Sequence, residues 1–481
     1  MLRHVTTFCA LLGSFTLLLI SMPPQADGVS ILYVDRDHTC PGQGTTLAPY
    51  CSIQHAFDHV TCGQRIRIRQ SALPYDENAV AQKPSCTEAN RIIVEPDTGH
   101  TPILRYSSKG SADGAIELRD VDYWTVQYLT FDGHGVATSD IAIEVAATSR
   151  PISGVHLLHN TIRNWGLTPL DNHAVRAIYV HGNRQAGFTA NHVVIRRNTL
   201  TQIRTNAMRI EGTQHAIIEE NTLSQLRCGW HTADRFTHEA IKITSGQTRS
   251  RSPSNGTLIR RNHISDFHSL QACLAEYGAA AGRPVFRGIY CDVNADDGRV
   301  VGNIIHTMSP TLTNANLTRG IYIESRCDRW EVSENIVYDV AGVCFRISAS
   351  GHTVKLTNNV CYNAGLGIDY RGHDEVTITN NIIYLTRPKA RVMRLDQRAL
   401  TAPHRIDYNL YFNRAASPAF RRGRNNAGLL LWKLLCRCDS HSQNADPQFV
   451  SIERTPKDFH LQPSSPARRA GTAGANIGAH P

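Results

Sequence analysis

Basic, aromatic and acidic side chains recur at fixed offsets in a set of short segments. These are AIYVHG from Ala177, AMRIEG from Ala207, AIKITS from Ala240, GIYCDV from Gly288, GIYIES from Gly320 and GIDYRG from Gly367. Two positions after the small residue come Tyr179, Arg209, Lys242, Tyr290 and Tyr322. Four positions after it come His181, Glu211, Thr244, Asp292 and Glu324. Such a set can serve two reactions on a sugar polymer. In β-elimination from a uronate glycan, a base takes the proton beside the carboxylate while a cation neutralises that carboxylate. Lys242 is the candidate base, with Arg209 beside it to favour its neutral form by like-charge repulsion and Tyr290 completing the catalytic group. Asp292, Asp296 and Glu324 are candidate calcium ligands. In glycoside hydrolysis, two carboxylates flank the bond instead, and Asp292 with Glu324 or Glu211 with Asp292 would supply them.

Further groups gather near Lys242. The stretch CGWHTADRFTHE, Cys228 to Glu239, brings Trp230 as a stacking platform and His238 and Glu239 as polar contacts. With His181, Glu211 and Tyr322 these make the expected substrate-binding set. A loop stapled by Cys228 and Cys273 is the structural reading of the same stretch. As an outward strand residue, Lys242 should cost within about 0.5 kcal/mol of stability when removed.

These segments alternate apolar and polar residues and are rich in β-branched side chains, so they are strands. Each belongs to a repeat. Asparagine followed two residues later by an apolar residue occurs at Asn160, Asn198, Asn221, Asn262, Asn303, Asn335, Asn359, Asn381 and Asn409. The shortest intervals are about 23 residues, the period of a solenoid coil. A third apolar stretch precedes most of these asparagines, as in VVIRRN and VTITNN. Three strands per coil define a parallel β-helix with the asparagines stacked at one turn, where their amides satisfy buried backbone groups. Rungs about 4.8 Å apart then put the recurring side chains in files. Carboxylates on adjacent rungs lie roughly 5 Å apart, and two rungs apart roughly 9.6 Å. From asparagine to the next small-residue strand the chain is short after Asn198, Asn335 and Asn359. It is long after Asn160, Asn221, Asn262 and Asn303, so the long connections border one strand column, as binding loops do.

Bulk properties fit an exported solenoid. Phe8 to Ile20 is an apolar run after Arg3 and His4 and before Pro23-Pro24, the build of a secretory signal peptide occupying 1–28. No later stretch is apolar enough to span a bilayer. Twelve of the thirteen cysteines follow the signal, an even number suited to disulfides. Proximity pairs Cys40 with Cys51 and Cys62 with Cys86, while Cys436 and Cys438 would each take a distant partner. The net charge of +9 points to an acidic polysaccharide. The charge is scattered without an aromatic-interleaved patch, which disfavours nucleic acid. The divisions are an N-terminal cap with first coils over 29–110, a β-helix core over 111–444, and a C-terminal strand and tail over 445–481. Ser52 to Val60 is an amphipathic helix placed to cap the solenoid.

The opening YVDRDHTCPGQGTTLAPYCSIQHAFDHVTCGQRIRIR and the ending ADPQFV…DFHLQPSSPARRAG resemble secreted pectate-lyase-like β-helix proteins. The resemblance implies an all-β, right-handed parallel β-helix, a saccharide groove walled by loops at the position of the long connections, and calcium-assisted lyase chemistry. VNADDGRV, from Val293, is similar to an acidic calcium motif of one such family, but here it follows the groove strand in a turn instead of opening it. The group also contains hydrolases and proteins without known chemistry. Three readings therefore stand: a secreted, monomeric uronate lyase, a glycosidase with paired carboxylates, and a β-helix that only binds glycan or protein.

Overall fold

A computed structural model describes residues 30–479, with breaks at 108–113, 134–140, 167–174, 205, 228, 233–234, 246–252, 269–271, 273–284, 309–317, 325, 349–352, 373–374 and 397–403. Over 229–232 and 235–238 it describes the backbone alone. The signal segment and the Cys228–Cys273 staple fall outside the described residues.

The chain is an all-β solenoid of parallel strands. One coil runs Val194–Arg196, Thr199–Ile203, Asn206–Glu211 and then Ile217–Glu219 on the next rung, so each turn visits three sheets. The first sheet holds 13 strands. The second and third are joined into a 25-stranded network because Ile336–Ile347 and Val360–Tyr370 run unbroken across the corner between them. Inward residues of the third sheet stack as apolar files. Ile178, Met208, Ile241, Ile289 and Ile321 are all buried, and each lies in register with the next.

The asparagine file forms as expected. From Asn160 to Asn381, each asparagine donates its backbone N–H and its side-chain N–H to the Oδ1 of the next, at 2.9–3.1 Å. Each of these amides also bonds a strand carbonyl of the preceding rung, as Asn198 Nδ2 does with Leu157 O at 2.9 Å. The residue before each ladder asparagine is left-handed; His159, Arg197, Glu220 and Arg261 have φ of 53–57°. That conformation costs about 1–2 kcal/mol for a residue with a Cβ. The paired amide bonds hold it in place.

Both ends of the solenoid are covered. Helix Ile53–His59 starts at Ser52, whose side chain accepts from His55 N at 3.1 Å, and buries Ile53, Ala56 and Phe57. Its Gln54 exchanges two hydrogen bonds with the backbone of Val80, closing the edge of a first-coil strand. Phe57 packs edge-on to Trp124. At the other end, helix Leu429–Cys436, which sequence patterning does not announce, inserts the fully buried Trp432 against Phe420. Phe449, Phe459 and Ile477 of the tail pack on Tyr338, Val360 and Ile382 outside the second sheet.

Cys40–Cys51 and Cys62–Cys86 are bonded as proximity suggests, and Cys291–Cys327 and Cys344–Cys361 tie neighbouring coils. Cys436 and Cys438 bond to each other, which corrects the expectation of distant partners. Arg437, left-handed at the end of the second helix, turns the chain so that the two sulfurs meet. Among the described residues no helix is long and apolar enough to cross a membrane.

Candidate functional site

The expected outward file is present on the third sheet, in register as Tyr179, Arg209, Lys242, Tyr290 and Tyr322. It continues through Arg346, Asp369, Arg394 and Arg421. The long connections after Asn160, Asn262 and Asn303 each lead from a second-sheet strand to the third-sheet strand that carries Tyr179, Tyr290 or Tyr322.

From Arg209 to Tyr322 these side chains point outward yet are buried, contrary to a solvated strand face. Lys242 is 7% exposed, Tyr290 4% and Glu239 1%. They cover one another through a third file that the sequence reading missed except at Glu239. It runs Arg176, Asn206, Glu239, Arg287 and Arg319, three residues before the first. Its arginines lie over rings of the first file. Arg176 is 4.2 Å from the Tyr179 centroid, Arg287 3.9 Å from Tyr290, and Arg319 4.5 Å from Tyr322. The repeated RGIY at Arg287 and Arg319 was the available signal.

Lys242 Nζ lies 3.0 Å from Asp292 Oδ2 and 3.6 Å from Glu239 Oε2. Glu239 also pairs with Arg287 and accepts from Asn206 Nδ2 at 2.7 Å. Arg209 turns to Glu211, at 2.8 Å. Burial raises the Glu211 carboxyl, but Arg184 and Arg209 outweigh it and hold the group below the ordinary range. Tyr179 donates to the same carboxylate at 3.3 Å, and His181 faces Glu144 at 2.9 Å. Glu211 thus pairs with arginines one coil before Lys242, and His181 bonds Glu144 two coils before it.

The next rungs differ. Tyr290 and Tyr322 stack with centroids 5.2 Å apart, and both hydroxyls donate to Glu324, Tyr322 at 2.8 Å. Burial, more than nearby charge, raises both phenols above the usual tyrosine value. Three guanidiniums surround the Tyr322 ring: Arg319 at 4.5 Å, Arg346 at 5.2 Å and Arg287 at 5.7 Å. Burial, followed by repulsion from Arg346 and Arg287, lowers Arg319.

The three calcium candidates do not converge. Asp292 is engaged by Lys242 and Glu324 by the tyrosines. Asp296 instead accepts from Asp328 N at 2.9 Å and faces Arg329 at 3.5 Å, in a turn beyond the groove strand. Among the described residues no group of three or more His, Cys, Asp or Glu is arranged to hold a metal ion. Gly298 of the acidic motif has a packing role, since a Cβ there would sit 2.3 Å from the Trp330 ring. Trp230 and His238 lie on the hairpin strands Gly229–Thr232 and Arg235–Thr244, and their side chains fall outside the described residues. A cavity of about 590 Å³ lies apart from the file, between the second sheet and the tail, beside His263, His306, Tyr338 and Phe459.

With three-sheet coils, a polar ladder and an outward file in register, the protein is a right-handed parallel β-helix. Residues 176–383 match the family model of the right-handed beta helix region. Among solved structures, a GH136 lacto-N-biosidase from Eubacterium ramulus is similar at 13% identity and TM-score 0.56, over 79% of this chain and 68% of that one. XylC in complex with xylose is similar at 11% identity and TM-score 0.56, over 89% and 88%. A single-residue mutant of the PL6 family alginate lyase AlyGC is similar at 14% identity and TM-score 0.50, over 89% of this chain but 57% of the lyase. No curated protein matches the sequence.

Proposed function

We propose that the protein cleaves an acidic polysaccharide by β-elimination in the groove over the third sheet, centred on Lys242, Tyr290 and Glu324. One observation carries this reading. Three guanidiniums around the Tyr322 ring adjoin a carboxylate, Glu324, that takes hydrogen bonds from the hydroxyls of two stacked tyrosines. Arg319 and Arg346 neutralise the uronate carboxylate, which acidifies the neighbouring C–H. The Tyr290 oxygen takes that proton as its own passes to Glu324. The carbon–oxygen bond to the leaving sugar breaks, a carbon–carbon double bond forms, and the leaving oxygen takes a proton from Lys242 one rung away. Lys242 serves as donor, its ammonium held in place by Glu239 and Asp292. Arg209 and Glu211 shape the neighbouring coil. The structural relatives, a glycosidase and an alginate lyase, support polysaccharide as the substrate class.

Hydrolysis is the second reading. Asp292 and Glu324 stand on consecutive rungs, at the roughly 5 Å suited to a retaining pair. Incubation with polygalacturonate, alginate, a glycosaminoglycan and a neutral glucan separates the two. Ultraviolet absorbance of unsaturated ends together with reducing ends is expected. Reducing ends without absorbance would overturn elimination in favour of hydrolysis, and neither signal would leave a binding protein.

A further inference from the structure

Past Tyr322 the same outward file becomes almost wholly basic. Asp369, itself a member of the file, is fully buried and is shared by three guanidiniums. Arg394 bonds it through Nε at 2.7 Å and Nη2 at 2.5 Å, Arg371 lies at 3.1 Å and Arg346 at 3.8 Å. One rung further on, Arg421 is in register with Arg394 and spends its Nε on the carbonyl of Gly423. Arg371, Arg394, Arg421 and the exposed Arg424 wall a cavity of about 300 Å³, in which Asp396 is the one carboxylate among the described residues. With Asp369, these four guanidiniums meet two carboxylates among the described residues. A guanidinium is never discharged at neutral pH, so all four present fixed positive charge to the cavity.

We infer that this cavity is a binding site for the anionic group of an acidic glycan, a sulfate ester or a uronate carboxylate. Guanidinium forks match the paired oxygens of either group. Arg421 lies three rungs beyond Arg346, about 14 Å along the file. A glycan lying along the file thus reaches this cavity several sugar units beyond the reacting bond. The shared path rests on the groove reading above, whereas the affinity for an anion does not.

The test is isothermal titration with three hexasaccharides: an oligouronate, a sulfated oligosaccharide and a neutral glucan. The protein is the parent, Arg371→Gln, Arg421→Gln, Arg424→Gln or Tyr290→Phe. Arg421 and Arg424 make no bond to Asp369, so their variants should fold as the parent does, which thermal unfolding checks. The parent should bind at least one acidic hexamer and not the neutral one, and which acidic hexamer binds identifies the anionic group. Each arginine variant should weaken that binding by about tenfold or more, the worth of a charge-assisted hydrogen bond. Parent affinity in the Arg421 and Arg424 variants would overturn the inference. So would a parent that binds neither acidic hexamer, or binds acidic and neutral hexamers alike. Tyr290→Phe distinguishes the two proposals: if it cleaves as the parent does while the arginine variants lose binding, the elimination mechanism falls and the anion site stands.

Discussion

Lys242 sits between Asp292 at 3.0 Å and Glu239 at 3.6 Å, and that position sets what its removal should do. Lys242→Met leaves Asp292 without its cation. The expected loss of stability is about 1–3 kcal/mol, read by denaturant unfolding. This exceeds the roughly 0.5 kcal/mol expected of an outward strand residue. A loss within that smaller range would show the ion pair to be dispensable. Turnover should fall by about 10²–10⁴-fold, the usual worth of a positioned proton donor. Lys242, Tyr290 and Glu324 were legible in sequence because strand alternation fixes which residues share a file. Their partners were less so. Arg287 and Arg319 stand three residues before the file, across a glycine, where simple alternation assigns no common face. Asp296 was misplaced because a turn separates it from the groove strand.

Among the elements, the asparagine turn was the most legible and its cost is the easiest to measure. Asn303→Ala should deprive the Asn262 amide of its acceptor and the carbonyls of Ile259 and Val301 of a donor. Each buried group left unpaired costs about 1–3 kcal/mol, so a drop of about 3 kcal/mol or more is expected. Little change in the denaturation midpoint would mean that the ladder is not what holds the turn. Under the tail, His306 stacks on Tyr338 at 4.5 Å. Burial, then His263, lowers it to about 4. The unfolded state therefore binds the proton more readily. Stability contributed by neutral His306 is complete above about pH 6.5 and is lost as pH falls towards 4. The melting temperature should fall over that window, and less so in His306→Phe, which keeps the ring stack. Equal pH profiles would remove His306 as the cause. The helix Leu429–Cys436 escaped the sequence reading because its leucines form no amphipathic stripe; Leu430 and Leu434 are exposed while Trp432 carries the burial.

At the scale of the molecule, the five described disulfides suit an oxidising compartment. Mature protein from an exporting host should begin after Gln25, and thiol titration without reductant should find none of the bonded cysteines reactive. An intact Met1 or free thiols at these positions would count against export. The solenoid also has a direction. Every ladder asparagine up to Asn381 donates towards the C-terminal coil, so the amide dipoles align head to tail. The column ends with Asn409, whose backbone N–H meets Ser442 and whose side chain meets Asp439. Asp439 also accepts from Tyr411 and Trp432. The positive pole of the stack thus closes on an acidic side chain. At the opposite pole, the carbonyl oxygen of Asn160 accepts from the backbone N–H of Leu129. The column is electrically asymmetric. Interior coils could therefore be duplicated without changing its ends, whereas exchanging the two caps would set an acidic side chain against the carbonyl pole.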